Sequence, residues 1–357
     1  MRGAINNSAS QPRSPNHKEP SMGSALSKDY HVYGIGNALV DMEFAIDDQR
    51  LTALNIDKGV MTLMDEARQH EIINNINQSP ERQCSGGSAA NSIIAVSYFG
   101  GKCFYSCKIA NDPTGKFYLD DLRSAGVDTN IHNHLEDGIT GKCVVLVTPD
   151  AERTLNTFLG ISEKVSRKEI DKSAIENSQY LYLEGYLSSS ELGVDAVCYA
   201  KEIAKTHNTK TALTLSDPNM VKFCRPGLEK MLGDGVDLLF ANRQEALMWA
   251  NTEDLDTAIE KIKTQAKTFV ITLGDKGALL YDGINTINVD AKPVKAIDTN
   301  GAGDMFAGGF LYGITHGYSF AEAGKLASNA AAVLITEYGA RLKPQAHQEI
   351  IKSAFPG

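Results

Sequence analysis

Tyr180-Leu-Tyr-Leu183, Lys210-Thr-Ala-Leu-Thr-Leu215, Val236-Asp-Leu-Leu-Phe240 and Thr268-Phe-Val-Ile-Thr-Leu273 are four short apolar runs in the second half of the chain. Each is too short to be a helix with a buried face, and most carry residues that favour extended backbone. Between and before them lie stretches of helical period at 191–206, 226–232, 243–250 and 254–265. Strands apolar on both sides and separated by helices specify a parallel sheet covered on both faces. The predicted class is therefore α/β with a mainly parallel central sheet.

The same alternation extends toward the N-terminus. His31-Val-Tyr-Gly-Ile-Gly36 reads as a buried strand, and 39–46 continues in extended form. Asp65 is placed to cap a helix running to about Asn77, Gly86-Gly87 opens a helix over 88–99, and 102–109 is a strand. A helix over 114–125 ends at Gly126. Two β-rich stretches, about 37–64 and 127–160, interrupt this order. In the second, Pro149-Asp150-Ala151 separates two extended runs and reads as a hairpin turn. Neither stretch is long enough for a core of its own. They predict a small β-sheet lid growing from one domain that spans 29–357. The end of the chain reads as helical over 302–316 and 319–336, and residues 1–28, rich in Ser, Asn and Pro, predict a disordered tail.

Composition removes several function classes. The net charge of −9 lacks the basic excess that a phosphate-tracking surface needs, so nucleic acid is not an expected partner. The longest apolar run, 305–314, contains glycines and is about half the length of a membrane span, so no membrane association is expected. The tail has no apolar signal-peptide core. Six cysteines show no Cys-x-x-Cys pair, which fits reduced, packed thiols and a cytoplasmic protein. There is no Gly-x-x-x-x-Gly-Lys-Ser/Thr loop, no Gly-x-Ser-x-Gly elbow and no His-Glu-x-x-His.

The motif that carries most chemistry is Asp298-Thr-Asn-Gly-Ala-Gly-Asp304, followed at once by an apolar helical run. Gly301, Ala302 and Gly303 leave consecutive backbone N–H groups uncovered at a helix N-terminus, where the dipole also favours negative charge. Such an anion hole suits a phosphoryl group in transfer. Asp304, in the first turn, complements the dipole by its position alone. Beside an anion hole it is also placed to accept a proton from an alcohol. Gly34-Ile-Gly36 is half of a dinucleotide fingerprint, but Leu39 stands where the third glycine belongs and an extended segment replaces the helix.

Asp-Thr-x-Gly-Ala-Gly-Asp resembles the C-terminal signature of the ribokinase-like (phosphofructokinase B type) carbohydrate and nucleoside kinases, over nearly all of 30–345. The variant with Asn300 looks most like adenosine kinases. The resemblance implies a ribokinase-like three-layer domain, Asp304 as base and an anion hole at Gly301, Ala302 and Gly303. Gly86-Gly87-Ser-Ala-Ala-Asn91 matches the family's sugar-contacting Gly-Gly-x-x-x-Asn. Paired glycines let backbone approach a ligand, and Asn91 offers both a donor and an acceptor. Asn37 and Asp41, spaced as in adenosine kinases, are assigned to the ribose, whose diol a carboxylate can hold by two hydrogen bonds.

The remaining assignments come from the same resemblance. Arg153 would close over the transferred phosphoryl group, although a strand arginine is also commonly a solvated charge. Tyr186, after the strand at 180–183, aligns with an aromatic that stacks on a purine; a core or rim tyrosine is the other reading. Asn242 and Glu245 fit an Asn-x-x-Glu that orders magnesium-bound water, and equally an ordinary capping box. Thr272, Gly274 and Gly277 would lie beside ATP, with Asn329 near its base.

The expected reaction is ATP plus adenosine giving AMP and ADP, with Mg2+ as cofactor. The family often carries a monovalent-cation site near the anion hole, which makes potassium a candidate too. Ribose, another sugar, inosine or guanosine are the alternative acceptors, and a silent nucleotide- or sugar-binding regulator is the alternative class. Both monomers and homodimers occur in the family.

Overall fold

A computed structural model describes residues 28–133, 135–150 and 152–355, together with 1 and 3. The tail predicted over 1–28 lies outside the described residues apart from 1, 3 and 28, as does Ala151 in the predicted hairpin turn. In chain order the strands are β1 (Tyr30–Ile35), β2 (Leu39–Ala45), β3 (Met61–Leu63), β4 (Arg82–Gly86), β5 (Cys103–Ser106), β6 (Val127–Asp128) and β7 (Thr140–Val147). They continue as β8 (Arg153–Gly160), β9 (Ser178–Leu183), β10 (Lys210–Thr214), β11 (Val236–Asn242), β12 (Ala266–Thr272), β13 (Ala278–Tyr281) and β14 (Thr286–Val289).

The larger sheet has nine strands in the order β14-β13-β12-β11-β10-β9-β1-β5-β6. Pairing is parallel from β12 to β6, with β13 and β14 added antiparallel at one edge. Successive side chains of a strand point to opposite faces, and both faces here are apolar. Val32, Tyr182, Leu238 and Val270 enter one core, packed by helices Ser88–Phe99 and Ala302–Thr315. Their neighbours Tyr33, Leu183, Leu239 and Phe269 enter the other, beneath helices such as Glu191–Thr206. Two cores around one sheet make the three-layer, ribokinase-like arrangement that the alternating strands and helices implied.

The smaller sheet has five strands in the order β3-β8-β7-β2-β4. Period two sorts it as well. Phe44, Val144 and Leu146 pack outward beneath helices Asp48–Ala53 and Glu66–Ile76, while Leu39, Asp41, Cys143, Leu155 and Leu159 face a cavity. This corrects the predicted boundaries in two places. β4 joins the sheet although it lies outside 37–64 and 127–160; Arg-Gln-Cys-Ser-Gly is a polar edge strand without an alternating signal. β6 lies inside 127–160 but pairs with β5 in the larger sheet. The hairpin β13–β14 and the helix Pro344–Ala354 also went unpredicted.

Strand order reverses at β1. The chain leaves β1 toward β5 and β6, then returns to its other side at β9. Ligands of open parallel sheets bind at such a reversal, beyond the C-terminal ends of the strands. Here those ends lead to Asn37 and Glu184.

Candidate active site

Glu184, only 1% exposed, joins the two strand ends. One carboxylate oxygen accepts the Asn37 N–H at 3.0 Å and the other accepts the Ala89 N–H at 2.8 Å. Burial pushes this carboxyl up to about 7, against the pull of those two N–H groups. The grip brings the loop after β1 against the start of helix Ser88–Phe99. Gly87 has φ 103°, and a Cβ there would lie 2.4 Å from the Asn37 carbonyl oxygen. A Cβ on Gly86 would lie 2.4 Å from an Asp41 oxygen, so the Asp41 carboxylate rests directly on the β4 backbone. Burial pushes Asp41 up to about 7, with the Arg341 guanidinium opposing the shift.

Helix Ala302–Thr315 begins at Gly301, which has φ 73° and no side chain to cap the first turn. A Cβ there would lie 2.8 Å from the Ala340 backbone. The Ala302 N–H makes a turn contact of 3.2 Å to the Thr299 carbonyl. Asp304 follows, with both oxygens engaged: Ser88 Oγ donates to Oδ1 at 2.6 Å and Asn91 Nδ2 donates to Oδ2 at 3.1 Å. Burial raises the Asp304 carboxyl to about 6, while Ser88, Asn91 and Arg341 hold it from rising further.

These groups share a cavity of about 390 Å³. Asn37, Asp41, Asn91 and Asp304 form a polar floor, and Leu39, Met61, Leu63, Leu155 and Leu159 of the smaller sheet form an apolar wall. Tyr186 borders the cavity from the turn after β9. Asn242, Glu245 and Thr272 border it at the ends of β11 and β12.

A model of the pfkB family of carbohydrate kinases matches residues 62–346. The chain belongs to this family. It is 35% identical to the adenosine kinase of Sinorhizobium meliloti, with a TM-score of 0.82 and coverage of 90% of this chain and 99% of that one. A probable sugar kinase protein from Rhizobium etli is 32% identical with a TM-score of 0.84, covering 92% and 100%. Ribokinase of Haemophilus influenzae is 29% identical over 282 residues, 75% of this chain and 86% of that protein. The protein is thus an ATP-dependent kinase of the nucleoside and sugar kinase group.

The pfkB kinase places most of the predicted site residues on one cavity: Asn37, Asp41, Gly87, Asn91, Tyr186, Asn242, Glu245, Thr272, Gly301, Ala302, Gly303 and Asp304 all line it. Gly86, Gly274, Gly277, Asn329 and Arg153 are not among the lining residues. Asn242 and Glu245 make a full capping box: Asn242 N and Nδ2 donate to the carboxylate at 2.9 and 2.6 Å, and Glu245 N donates back at 2.8 Å. Glu245 is 4% exposed, and its burial pushes it up to about 7.

Arg153 is far from a solvated charge, and it does not line the cavity. It is 7% exposed, with Nη1 donating to Glu43 at 3.2 Å and Nε 2.8 Å from an Asp298 oxygen. Its buried Nη2 has no hydrogen-bond partner among the described residues. Asn91 differs from expectation in a smaller way: its Oδ1 accepts from Arg341, so it turns its donor end to Asp304. Sequence reading missed Ser88, Glu184 and Arg341. Ser88 sits inside a motif it did quote, whereas Arg341 lies in a segment without any motif.

Proposed function

We propose that this kinase transfers the γ-phosphoryl group of ATP to the 5′-hydroxyl of a nucleoside, adenosine above all. One observation carries the reading, the two-sided chemistry of the cavity. A free sugar offers hydroxyls in every direction and gains nothing from five aliphatic side chains. A nucleoside pairs a polyol with a flat apolar ring, and the floor and wall match those two halves. Tyr186 adds an aromatic surface for the ring. The likeness to the S. meliloti adenosine kinase points the same way.

In this reading Asn37, Asp41 and Asn91 hold the ribose with its 5′-hydroxyl toward Asp304. With its carboxyl near 6, Asp304 is ionised at neutral pH yet basic enough to take the alcohol proton as attack proceeds. The hydroxyl replaces Ser88 or Asn91 as its partner. The amides of 301–303 stabilise the charge on the transferred group, and the Ala302 N–H exchanges its 3.2 Å turn contact for a phosphoryl oxygen. Glu245 and Asn242 suit a hydrated magnesium ion, because a desolvated carboxylate gains most from a nearby cation. Such an ion would neutralise phosphate charge. The smaller sheet, closing on the cavity, would exclude water.

The test is ADP release with adenosine, inosine, guanosine and ribose at matched concentrations. Adenosine is expected to show the highest kcat/KM. Ribose equal to or better than every nucleoside would overturn the assignment and leave a sugar kinase.

A further inference from the structure

We infer that Arg341 is a positioning residue of the acceptor site: its guanidinium fixes the side-chain amide of Asn91 so that the N–H end faces Asp304. Arg341 is 8% exposed and spends three nitrogens on three different elements. Nε donates to Asn91 Oδ1 at 3.0 Å on helix Ser88–Phe99, Nη2 to Ser85 Oγ at 2.8 Å on β4, and Nη1 to Asp121 Oδ2 at 3.1 Å on helix Pro113–Ser124.

The two ends of a carboxamide have nearly the same shape and opposite hydrogen-bonding sense. A guanidinium has only donors. Asn91 must therefore turn Oδ1 to Arg341, which leaves Nδ2 for Asp304 at 3.1 Å. The flipped amide would set N–H against N–H at Arg341 and oxygen against the carboxylate at Asp304. Without Arg341 that penalty halves, and the amide is free to rotate toward other partners in the cavity.

The segment that carries Arg341 also supports the anion hole. Gly339 N donates to Asp298 Oδ2 at 2.7 Å, and the Ala340 backbone leaves no room for a side chain at Gly301. Arg82 of β4 donates to the Tyr338 carbonyl at 2.7 Å. One short stretch, 338–341, therefore sets both the amides proposed for the phosphoryl group and the amide proposed for the acceptor.

This inference rests on the reading of Asn91 as an acceptor contact and Asp304 as the base, and the experiment separates the two. Arg341→Met is expected to raise the acceptor KM and lower kcat, each by about tenfold or more, with the ATP KM within about twofold of wild type. Combined with Asn91→Ala, and measured well above the Asp304 titration so that the base stays ionised with or without the guanidinium, it is expected to be no worse than Asn91→Ala alone, because it acts through that side chain. Asp121→Asn removes the ion pair but not the Nε contact, so it is expected to lower Tm while leaving kcat near wild type. If Arg341→Met does not fold, the same cycle is run with Arg341→Lys, whose single ammonium cannot hold three partners. Additive losses in the cycle, or equal kcat losses for Asp121→Asn and the Arg341 variant, would overturn the role of Arg341. Undiminished turnover in Asp304→Asn, measured alongside, would instead overturn the reading beneath it.

Discussion

The floor and the wall of the cavity are built on different principles. Most of the floor comes from loops and helix starts at the end of the large sheet, with Asp41 reaching it from β2, and its central members are held by specific partners: Glu184 takes two backbone N–H groups, and Asp304 takes Ser88 and Asn91. The wall comes from one face of a twisted sheet, where alternation alone brings Leu39, Leu155 and Leu159 to the cavity. A network fixed by hydrogen bonds tolerates little change, since removing one member strands the others. A wall of aliphatic side chains can be reshaped a methylene at a time at modest cost. That contrast suggests that reaction chemistry resides on the floor and acceptor choice on the wall.

The strongest attempt to break the contrast is Asp304→Asn. The amide retains the shape and can keep both neighbours, because the Ser88 hydroxyl can accept as well as donate. What it loses is the ability to take a proton. Turnover is expected to fall by about 10²–10⁴-fold, with acceptor affinity changed by roughly threefold or less, a pattern expected of a transition-state interaction. Single-turnover phosphoryl transfer and equilibrium binding check the two halves. Turnover close to wild type would mean that the floor binds but does not react.

A milder change on the other side is Leu155→Ala. Removing aliphatic carbons from a pocket wall costs roughly 1–3 kcal/mol of discrimination. Nucleoside kcat/KM is expected to fall about tenfold or more, while activity on ribose stays within about twofold. Parallel losses on both acceptors would show that the wall supports the fold of the smaller sheet rather than a base.

The same contrast explains what was legible in the sequence. The placement of Asp304 and Gly301–Gly303 on the cavity was readable because the feature is local: a helix start stripped of side chains is complete within seven residues of sequence, 298–304. The parallel sheet was readable because its strands are apolar on both faces. Arg341 was not, since its partner Asn91 lies 250 residues away and nothing near either of them encodes the meeting. Glu184 follows the strand at 180–183 with no motif of its own; its grip on Asn37 spans 147 residues. Arg153 was noticed as a residue, but its placement depends on Glu43 and Asp298, which only the packing of β2, β8 and the 298 loop brings together. Alternation showed that β8 had two faces without showing which one would meet a ligand.

The smallest expected effect concerns pH and runs in opposite directions for activity and stability. Asp304 sits near 6 because burial disfavours its charge. As base it must be ionised, so kcat/KM is expected to fall as pH drops through about 6. For stability the sign reverses. A carboxyl raised in the folded state binds its proton more tightly there than in the unfolded chain. Its contribution is thus fully present below the unfolded value of about 4 and is lost as pH rises through about 6. At pH 8 the charge is therefore a burden that Asp304→Asn removes. The variant is expected to melt a few degrees higher than wild type, and the gap should narrow as pH falls through about 6 toward 4. Melting curves of both proteins from pH 8 to pH 5 measure this difference directly, and a gap that ignores pH would place the Asp304 charge in water rather than in the buried floor.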